Sequence, residues 1–257
     1  MRHALNSLTI MGVVELVAPY PAIYIPEIDT LAISDLHLGY EGVMAEEAGL
    51  MIPKTQFKKE MQALREIEKR VKARRIVLNG DIKHEFSSTS YHESREVSDM
   101  LEHLQQEYEE VIIVKGNHDN FIARITSRYR VKLVEEFLDG RYYFVHGHEI
   151  PEGFALKGEV VVIGHEHPAI ALYDDVGAKE KIPCILYGDM LDGRKIIVLP
   201  AFSILAQGSE VNMIPREELL SPILRQYVDV DSLNVMSVGP DVGCISFPKL
   251  GLLRGVH

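Results

Sequence analysis

Residues 111–119 read VIIVKGNHD, a run of β-branched residues that passes through Lys into Gly, Asn, His and Asp. The apolar part predicts a buried strand, and Gly-Asn is ordinary turn chemistry. The side chains of Asn, His and Asp can also bind a metal ion or move a proton. Taken alone, the stretch fits a solvated turn as well as a strand that delivers ligands to a site.

Polar residues follow predicted strands at four other places in the chain. The apolar segments are LAIS (31–34), IVLNG (76–80), YYFV (142–145) and VVVIG (160–164). The residues that follow them are Asp35 and His37, then Asp81, then His146 and His148, and finally His165 and His167. Sites in α/β sheets gather at the carboxyl ends of strands. With GNHD as the fifth case, this pattern favours one common site over accidental loop composition.

The order of predicted elements indicates an α/β fold. Helical spacing of apolar residues predicts helices at 54–73 and 91–109, between strands, and a hairpin is predicted from AIYI (22–25) to LAIS. Beyond residue 168, the segments AIALY, CILYG, KIIVLP and GCISF predict further strands with few helical signals. We therefore expect a single domain over residues 1–257, a sandwich whose second sheet is completed by the C-terminal strands.

Composition limits the class of protein. The net charge of −11 argues against a surface coated in basic residues for nonspecific nucleic-acid binding, although a local cationic site can still bind phosphate. Cys184 and Cys244 lie outside any CxxC pattern, so a cysteine zinc site is not supported. The apolar N-terminal stretch is interrupted by Glu15 and lacks a clear cleavage site, so we expect no signal peptide. No apolar run has the roughly 20 residues needed to span a membrane, and we expect a cytoplasmic enzyme.

Five sequence blocks carry a family resemblance. They are Asp-Leu-His at 35–37, Gly-Asp-x-x-His at 80–84, Gly-Asn-His-Asp at 116–119, His-Gly-His at 146–148 and Gly-His-x-His at 164–167. In this order and form they resemble the calcineurin-like binuclear metallophosphoesterase family, over about residues 31–168. The resemblance implies a two-sheet αββα metallophosphoesterase sandwich that binds two divalent metal ions.

The resemblance also implies a ligand set. The first metal would be bound by Asp35, His37, Asp81 and His167, and the second by Asp81, Asn117, His146 and His165. Two adjacent cations repel each other, so a shared carboxylate at Asp81 makes physical sense, and two divalent ions against two carboxylates leave a charge of about +2 that attracts a phosphodiester. His148 is an alternative to His146. Nitrogen and oxygen ligands without thiolate suit Mn²⁺, Fe²⁺ or Zn²⁺, and the resemblance favours Mn²⁺.

Other polar residues are candidates for catalysis or substrate binding. His118 is expected to protonate the leaving oxygen, with Asp119 orienting or charge-stabilising its imidazole. His84 resembles a second active-site histidine near the phosphate. His148, if it is not a ligand, contacts substrate or makes a structural hydrogen bond. Three arginines form a basic cluster that is either a solvated helix face or a phosphate contact: Arg124, Arg128 and Arg130.

Softer features suggest a branch of the family. The segments DLHLGYE (35–41) and GLMIPK (49–54) resemble the prokaryotic group related to the repair nuclease SbcD, which includes a ligase-associated DNA endonuclease. Only 90 residues follow His167, too few for a separate DNA-capping domain as well as the second sheet. We therefore expect a compact Mn²⁺-dependent phosphodiesterase, a DNA endonuclease acting on single-stranded DNA.

Two other functions stay open at this stage. One is a small-molecule phosphodiesterase or phosphatase of the same fold, acting on a cyclic nucleotide, a dinucleotide or a phosphomonoester. The other is a non-catalytic scaffold, which the persistence of every ligand and of His118 argues against. The sequence leaves repair-protein partners and the oligomeric state undetermined, with a homodimer among the options.

Overall fold

Two mixed β-sheets pack face to face in the structure, which is a computed structural model. It describes residues 8–48, 54–86, 90–174, 176–206, 208–240 and 242–255. Residues 49–53 of the GLMIPK segment, which contributed to the branch assignment, lie outside the described residues.

The described residues form strands in two sheets and a small number of helices. The first sheet contains, in spatial order, β1 (Leu8–Ile10), β2 (Val14–Leu16), β3 (Ile23–Ile25), β4 (Thr30–Ile33), β5 (Arg75–Asn79), β6 (Glu110–Val114) and β7 (Val131–Val134). The second contains β8 (Glu136–Asp139), β9 (Tyr142–Val145), β10 (Val160–Ile163), β11 (Pro168–Tyr173), β12 (Lys179–Asp189), β13 (Lys195–Val198), β14 (Ser209–Glu210), β15 (Asn234–Ser237) and β16 (Ser246–Phe247). The helices are α1 (Tyr40–Ala48), α2 (Gln56–Arg70), α3 (Tyr91–Glu107), α4 (Ala123–Thr126) and α5 (Pro222–Tyr227).

The apolar run in β6 is explained by burial on both faces. Val111 and Ile113 pack in the cluster that contains α2 and α3, whereas Ile112 and Val114 pack in the cluster between the two sheets. Successive side chains of a strand point to opposite faces, so a strand covered on both sides must be apolar at every position. β6 is therefore a central strand, with helices on one side and the second sheet on the other.

Parallel pairing brings the ends of several strands to one edge. β4, β5, β6 and β7 are parallel neighbours in chain order, and β9, β10 and β13 are parallel in the second sheet. The predicted hairpin is confirmed, because β3 pairs with β4 antiparallel. The amide of Asn79 at the end of β5 donates to the carbonyl oxygens of Val145 and Val162, at 3.2 Å each. The carboxyl ends of β5, β9 and β10 therefore meet.

The predicted α/β fold class is confirmed: the chain forms a two-sheet sandwich, as a single domain. The helices expected at 54–73 and 91–109 are α2 and α3, and α3 begins with a capping box in which Ser90 and Glu93 bond reciprocally. The outer layer on the second sheet is thinner than an αββα scheme suggests. It consists of α5 and short 3₁₀ segments, whose apolar residues include Ile223, Leu224 and Leu253.

Candidate metal centre

Six predicted ligands come together where the strands end. One group, with ligand atoms all within 4.8 Å of one another, consists of Asp35, His37, Asp81 and His167. A second group, by the same distance, consists of Asp81, His146 and His165. Asp81 belongs to both groups, and its Oδ2 lies 3.2 Å from Nε2 of His146 and 3.9 Å from Nε2 of His37. Apart from Asn117, these two groups contain the residues that the family resemblance implied for the two metals.

The backbone of the predicted ligands adopts an unusual conformation. Positive φ angles of 57°, 47°, 51°, 63° and 45° occur at Asp35, His37, Asp81, His165 and His167, respectively. Residues with a Cβ seldom adopt this left-handed region, and such strain concentrates at functional sites. Each strand thus ends in a sharp turn, and together these turns aim the side chains into one cavity.

Two glycines make room for the ligands. A Cβ on Gly80, which has φ +94°, would collide with the imidazole of His146. A Cβ on Gly116 would collide with the carboxylate of Asp81. Both glycines are therefore required by close approach, and the positive φ of Gly80 is a second reason for glycine at that position.

Orphaned polar atoms show that the site fits metal ions. Among the residues that the structure describes, Oδ1 of Asn117 and Nε2 of His146 are buried and have no hydrogen-bond partner. The His146 atom lies 3.2 Å from the Asp81 carboxylate without the alignment of a hydrogen bond. Leaving buried polar groups unpaired is costly. An amide oxygen, imidazole nitrogens and carboxylates, without thiolate, form a donor set suited to divalent transition ions. Asn117, predicted as a ligand of the second metal, thus contributes a free oxygen.

Two of the histidines are held neutral. Burial lowers the pKa of His37 to about 3, even though Asp35 and Asp81 oppose the shift. Burial likewise lowers the pKa of His165 to about 4, helped by nearby His146. Neutral imidazole is the form that binds a metal ion, so these side chains are ready to act as ligands at neutral pH.

The buried carboxylates attract positive charge. Burial alone lowers the pKa of His146, but the carboxylates of Asp81 and Asp35 outweigh it and raise that pKa to about 9. In turn, burial raises the pKa of Asp81, but His146, His37 and His118 together outweigh burial and the net pKa is lowered. The site is therefore a buried pocket of negative charge that is stabilised by cations, which two divalent ions supply.

Support for the ligand loop comes from a helix residue that the sequence pattern did not single out. Nε2 of Gln56 in α2 donates to the carbonyl oxygens of Leu36 and His37, at 3.1 and 3.0 Å. Gln56 and Glu60 are both buried on the face of α2 that also carries Leu64. Polar residues interrupting an apolar helix face are the signal that could have identified them.

His118 is held beside the shared ligand. Its backbone N–H donates to Oδ1 of Asp81 at 2.9 Å, and its Nδ1 lies 2.6 Å from the carbonyl oxygen of His84. A carbonyl oxygen only accepts, so Nδ1 carries a proton and donates it. This leaves Nε2 as the atom that can pass a proton to another group.

The carboxylate of Asp119, predicted to orient or charge-stabilise that imidazole, bonds to backbone N–H groups of two loops. Asp119 is fully buried; its Oδ1 accepts from the N–H of Ile82 at 2.9 Å, and its Oδ2 accepts from the N–H of Gly116 at 2.8 Å. The carboxylate therefore connects the loops after β5 and β6. The imidazole of His118 is oriented by the carbonyl oxygen of His84, which lies 2.6 Å from its Nδ1.

The remaining histidines lie around this centre. His84 packs against Tyr40 with ring centroids 3.9 Å apart, and it forms with His37 and His118 a third group of neighbouring side chains. Burial lowers its pKa to about 4. His148 lies outside both ligand groups, and its ring centroid is 5.4 Å from that of His146. Its buried Nδ1 finds no hydrogen-bond partner in the described part of the chain. The groups thus contain His146 and not the alternative, His148.

The sequence model of calcineurin-like phosphoesterases matches residues 28–189, more than half of the chain. The chain belongs to the calcineurin-like phosphoesterase family. It is accordingly a metal-dependent phosphoesterase, and enzymes of this family use divalent metal ions. A search of curated protein sequences found no significant match.

Solved structures resemble this phosphoesterase at low sequence identity. The nuclease MPE of Pseudomonas putida is 16% identical with a TM-score of 0.63, covering 94% of this chain and 99% of its own. YfcE, a phosphoesterase from E. coli, is 18% identical with a TM-score of 0.42, covering 86% of this chain and 98% of its own. At such identities the Pseudomonas structure supports the fold. None of the helices in the described part of the chain is long and apolar enough to cross a membrane.

Proposed function

We propose that this phosphoesterase is a Mn²⁺-dependent endonuclease that hydrolyses internal phosphodiester bonds of single-stranded DNA. One ion would be held by Asp35, His37, Asp81 and His167, and the other by Asp81, Asn117, His146 and His165. When bound, such a pair polarises the phosphoryl group and lowers the pKa of water. The nitrogen and oxygen donors suit Mn²⁺, Fe²⁺ or Zn²⁺, and the family resemblance favours Mn²⁺.

His118 acts as the general acid. Its Nδ1 proton is committed to the carbonyl oxygen of His84 at 2.6 Å, so the proton that reaches the leaving oxygen comes from Nε2. The N–H of His118 fixes Asp81, so the acid and the shared ligand keep a constant relative position. His84 is neutral at physiological pH, because burial lowers its pKa to about 4. In this proposal it would contact the phosphate as a neutral hydrogen-bonding group.

The uneven burial of the site carries the proposal of a polymeric substrate. Asp35, Asp81 and His146 are at most 2% exposed. The side chains on the open side are partly exposed: His84, His118, His165 and His167. A flexible strand can place one phosphate on such a site, whereas a duplex has to distort.

Local charge supports the same substrate. Arg124, Arg128 and Arg130 are exposed and follow the loop that carries Asn117 and His118. Cations at this position can contact phosphates although the whole chain carries a net charge of −11. The Pseudomonas putida protein with the same fold is described as a nuclease, which agrees with this assignment.

Circular single-stranded DNA tests the proposal, because it has no ends for an exonuclease. With Mn²⁺ we expect the circles to be cut, duplex to be cut more slowly, and EDTA or Asp81→Ala to abolish cleavage. Few phosphate contacts predict a shallow decrease of affinity with salt. Intact circles together with rapid turnover of a cyclic nucleotide or dinucleotide would establish the small-molecule alternative, and a metal-loaded protein without any phosphoesterase activity would establish the scaffold.

A further inference from the structure

Four aromatic rings form a continuous row at the open side of the metal centre. Tyr40 and His84 have ring centroids 3.9 Å apart, and His84 stacks with His118 at 5.6 Å with an interplanar angle of 20°. Phe86 ends the row, with its centroid 5.8 Å from that of His118 and its ring nearly perpendicular to the imidazole. The row therefore leads from the ligand loop through the general acid to Phe86.

Phe86 is exposed although it lies beside the reaction centre. Its side chain is 53% exposed, and the perpendicular contact with His118 occupies at most one face of the ring. Its backbone is held in place, since Nδ2 of Asn120 donates to the carbonyl oxygens of both Phe86 and Asn117 at 3.3 Å. A large apolar ring fixed at the edge of a catalytic site, with an open face, is suited to cover part of a substrate.

We propose that Phe86 is a base-stacking residue that binds the nucleobase of the leaving nucleoside. This inference rests on the proposed function, since His118 protonates the leaving oxygen and the leaving nucleoside must therefore lie on the His118 side. The base of that nucleoside is one sugar away from the oxygen, and Phe86 is the next ring beyond His118. Every base has a π-face, so the contact tolerates any sequence.

Stacking on Phe86 also gives a reason for the strand preference. In a duplex, both faces of each base are already stacked on neighbouring bases, whereas a base in a single strand can turn onto a protein ring. Phe121 is a weaker candidate for the same role. It is 47% exposed, but the guanidinium of Arg124 lies over its ring, 4.8 Å from the centroid.

Steady-state kinetics on two matched substrates test the inference. One is a single-stranded oligothymidylate, and the other has the same backbone with abasic tetrahydrofuran residues in place of thymidines. For Phe86→Leu, which keeps an apolar side chain but removes the ring, we expect KM for oligothymidylate to rise about 5- to 150-fold with kcat nearly unchanged. Phe86→Tyr should stay close to the wild type. Leu252→Ala, which removes another exposed apolar side chain, is the control.

The abasic strand adds a comparison that can be made with the wild-type enzyme alone. Wild type should bind it with a higher KM than oligothymidylate, and Phe86→Leu should show no further loss on it. Equal KM values of wild type and Phe86→Leu on oligothymidylate, or an equal loss on both strands, would overturn the stacking assignment while leaving the nuclease intact. Wild-type enzyme that cuts neither strand would defeat the proposed function and the inference with it.

Discussion

Nδ1 of His146 donates to the backbone carbonyl oxygen of Asn79 at 3.0 Å, a contact between the two sheets directly behind the metal centre. Because that carbonyl only accepts, the imidazole is protonated on Nδ1 and presents Nε2 to Asp81. The amide of Asn79 donates back to the carbonyl oxygens of Val145 and Val162. One residue thus joins the sheets and fixes the tautomer of a metal ligand.

Asn79→Ala should weaken both the fold and metal binding. The change removes two buried hydrogen bonds, which costs roughly 1–3 kcal/mol of unfolding free energy, and it loosens the backbone that orients His146, which should weaken metal affinity roughly 10- to 100-fold. Urea unfolding and Mn²⁺ titration measure the two effects. Asn234→Ala is the matched control, since its amide also donates to a strand carbonyl, that of Tyr187, at 3.1 Å. Unchanged metal affinity in Asn79→Ala would contradict the orienting role.

Asp119→Asn separates loop stabilisation from catalysis. Both carboxylate oxygens accept from backbone N–H groups, so the NH₂ of Asn would face a donor and cost roughly 1–3 kcal/mol of stability. The ratio of rates on good and poor leaving groups should stay as in the wild type, because the imidazole of His118 is held by the His84 carbonyl. If that ratio changed while stability stayed the same, Asp119 would act on the acid after all.

Glu60 should make stability depend on pH. Burial raises its pKa from 4.5 to about 8, although bonds from Gln56 and the Ile204 N–H oppose the shift. Between these pH values the folded protein keeps a proton that the unfolded chain has lost. The free energy of unfolding should therefore fall as the pH rises from about 4.5 to about 8. The stability that the protonated form contributes is lost as the pH rises through the pKa of Glu60 in the folded protein.

Glu60→Gln is uncharged in both states and should lack this contribution. The unfolding free energy of Glu60→Gln minus that of wild type should be larger at pH 8 than at pH 5, by roughly a few kcal/mol. Urea unfolding at several pH values measures it. Glu66→Gln, an exposed change on the same helix, is the control. Parallel pH curves for wild type and Glu60→Gln would show that Glu60 ionises in the folded state as it does in the unfolded chain.

Local pattern identified most of the elements that position the site. The runs that became β5, β6, β9 and β10 are apolar on both faces, and each is followed by the ligands that parallel pairing brings to one edge. Several elements were missed: β7, β8 and β15 have 4 residues each, and α1 has 9 residues and begins three residues after His37. Their conformation depends on tertiary pairing more than on their own periodicity.

Contacts made by backbone atoms could not be predicted from residue types. The His84 carbonyl that orients His118 and the Asn79 carbonyl that orients His146 belong to the main chain, so no side-chain pattern marks them. The side chain of Asp119 also bonds to main-chain groups that residue types do not predict. Its place next to His118 in the sequence suggested a direct contact, but the tight turn directs its carboxylate to the N–H groups of Gly116 and Ile82.

Metal stoichiometry should distinguish His146 from His148. His146 belongs to the ligand group with Asp81 and His165, whereas His148 does not. His146→Ala should therefore bind fewer Mn²⁺ ions per chain than the wild type, and His148→Ala should bind the same number. Elemental analysis after gel filtration measures the ratio, and circular dichroism checks that both variants are folded. Loss of metal from His148→Ala with retention in His146→Ala would exchange the two assignments.

His118→Ala should separate chemistry from assembly of the metal centre. The imidazole lies outside the two groups that share Asp81, so the variant should keep both metals and lose roughly 10²- to 10⁴-fold in turnover on DNA. The loss should shrink on a nitrophenyl phosphodiester, since nitrophenolate departs without a proton. Asp81→Ala should instead lose metal and activity together on both substrates. Rates on the two substrates, measured together with metal content, distinguish a loss of chemistry from a loss of metal. Equal losses of turnover for His118→Ala on good and poor leaving groups would exclude the general-acid role, because only a step that needs a proton depends on Nε2.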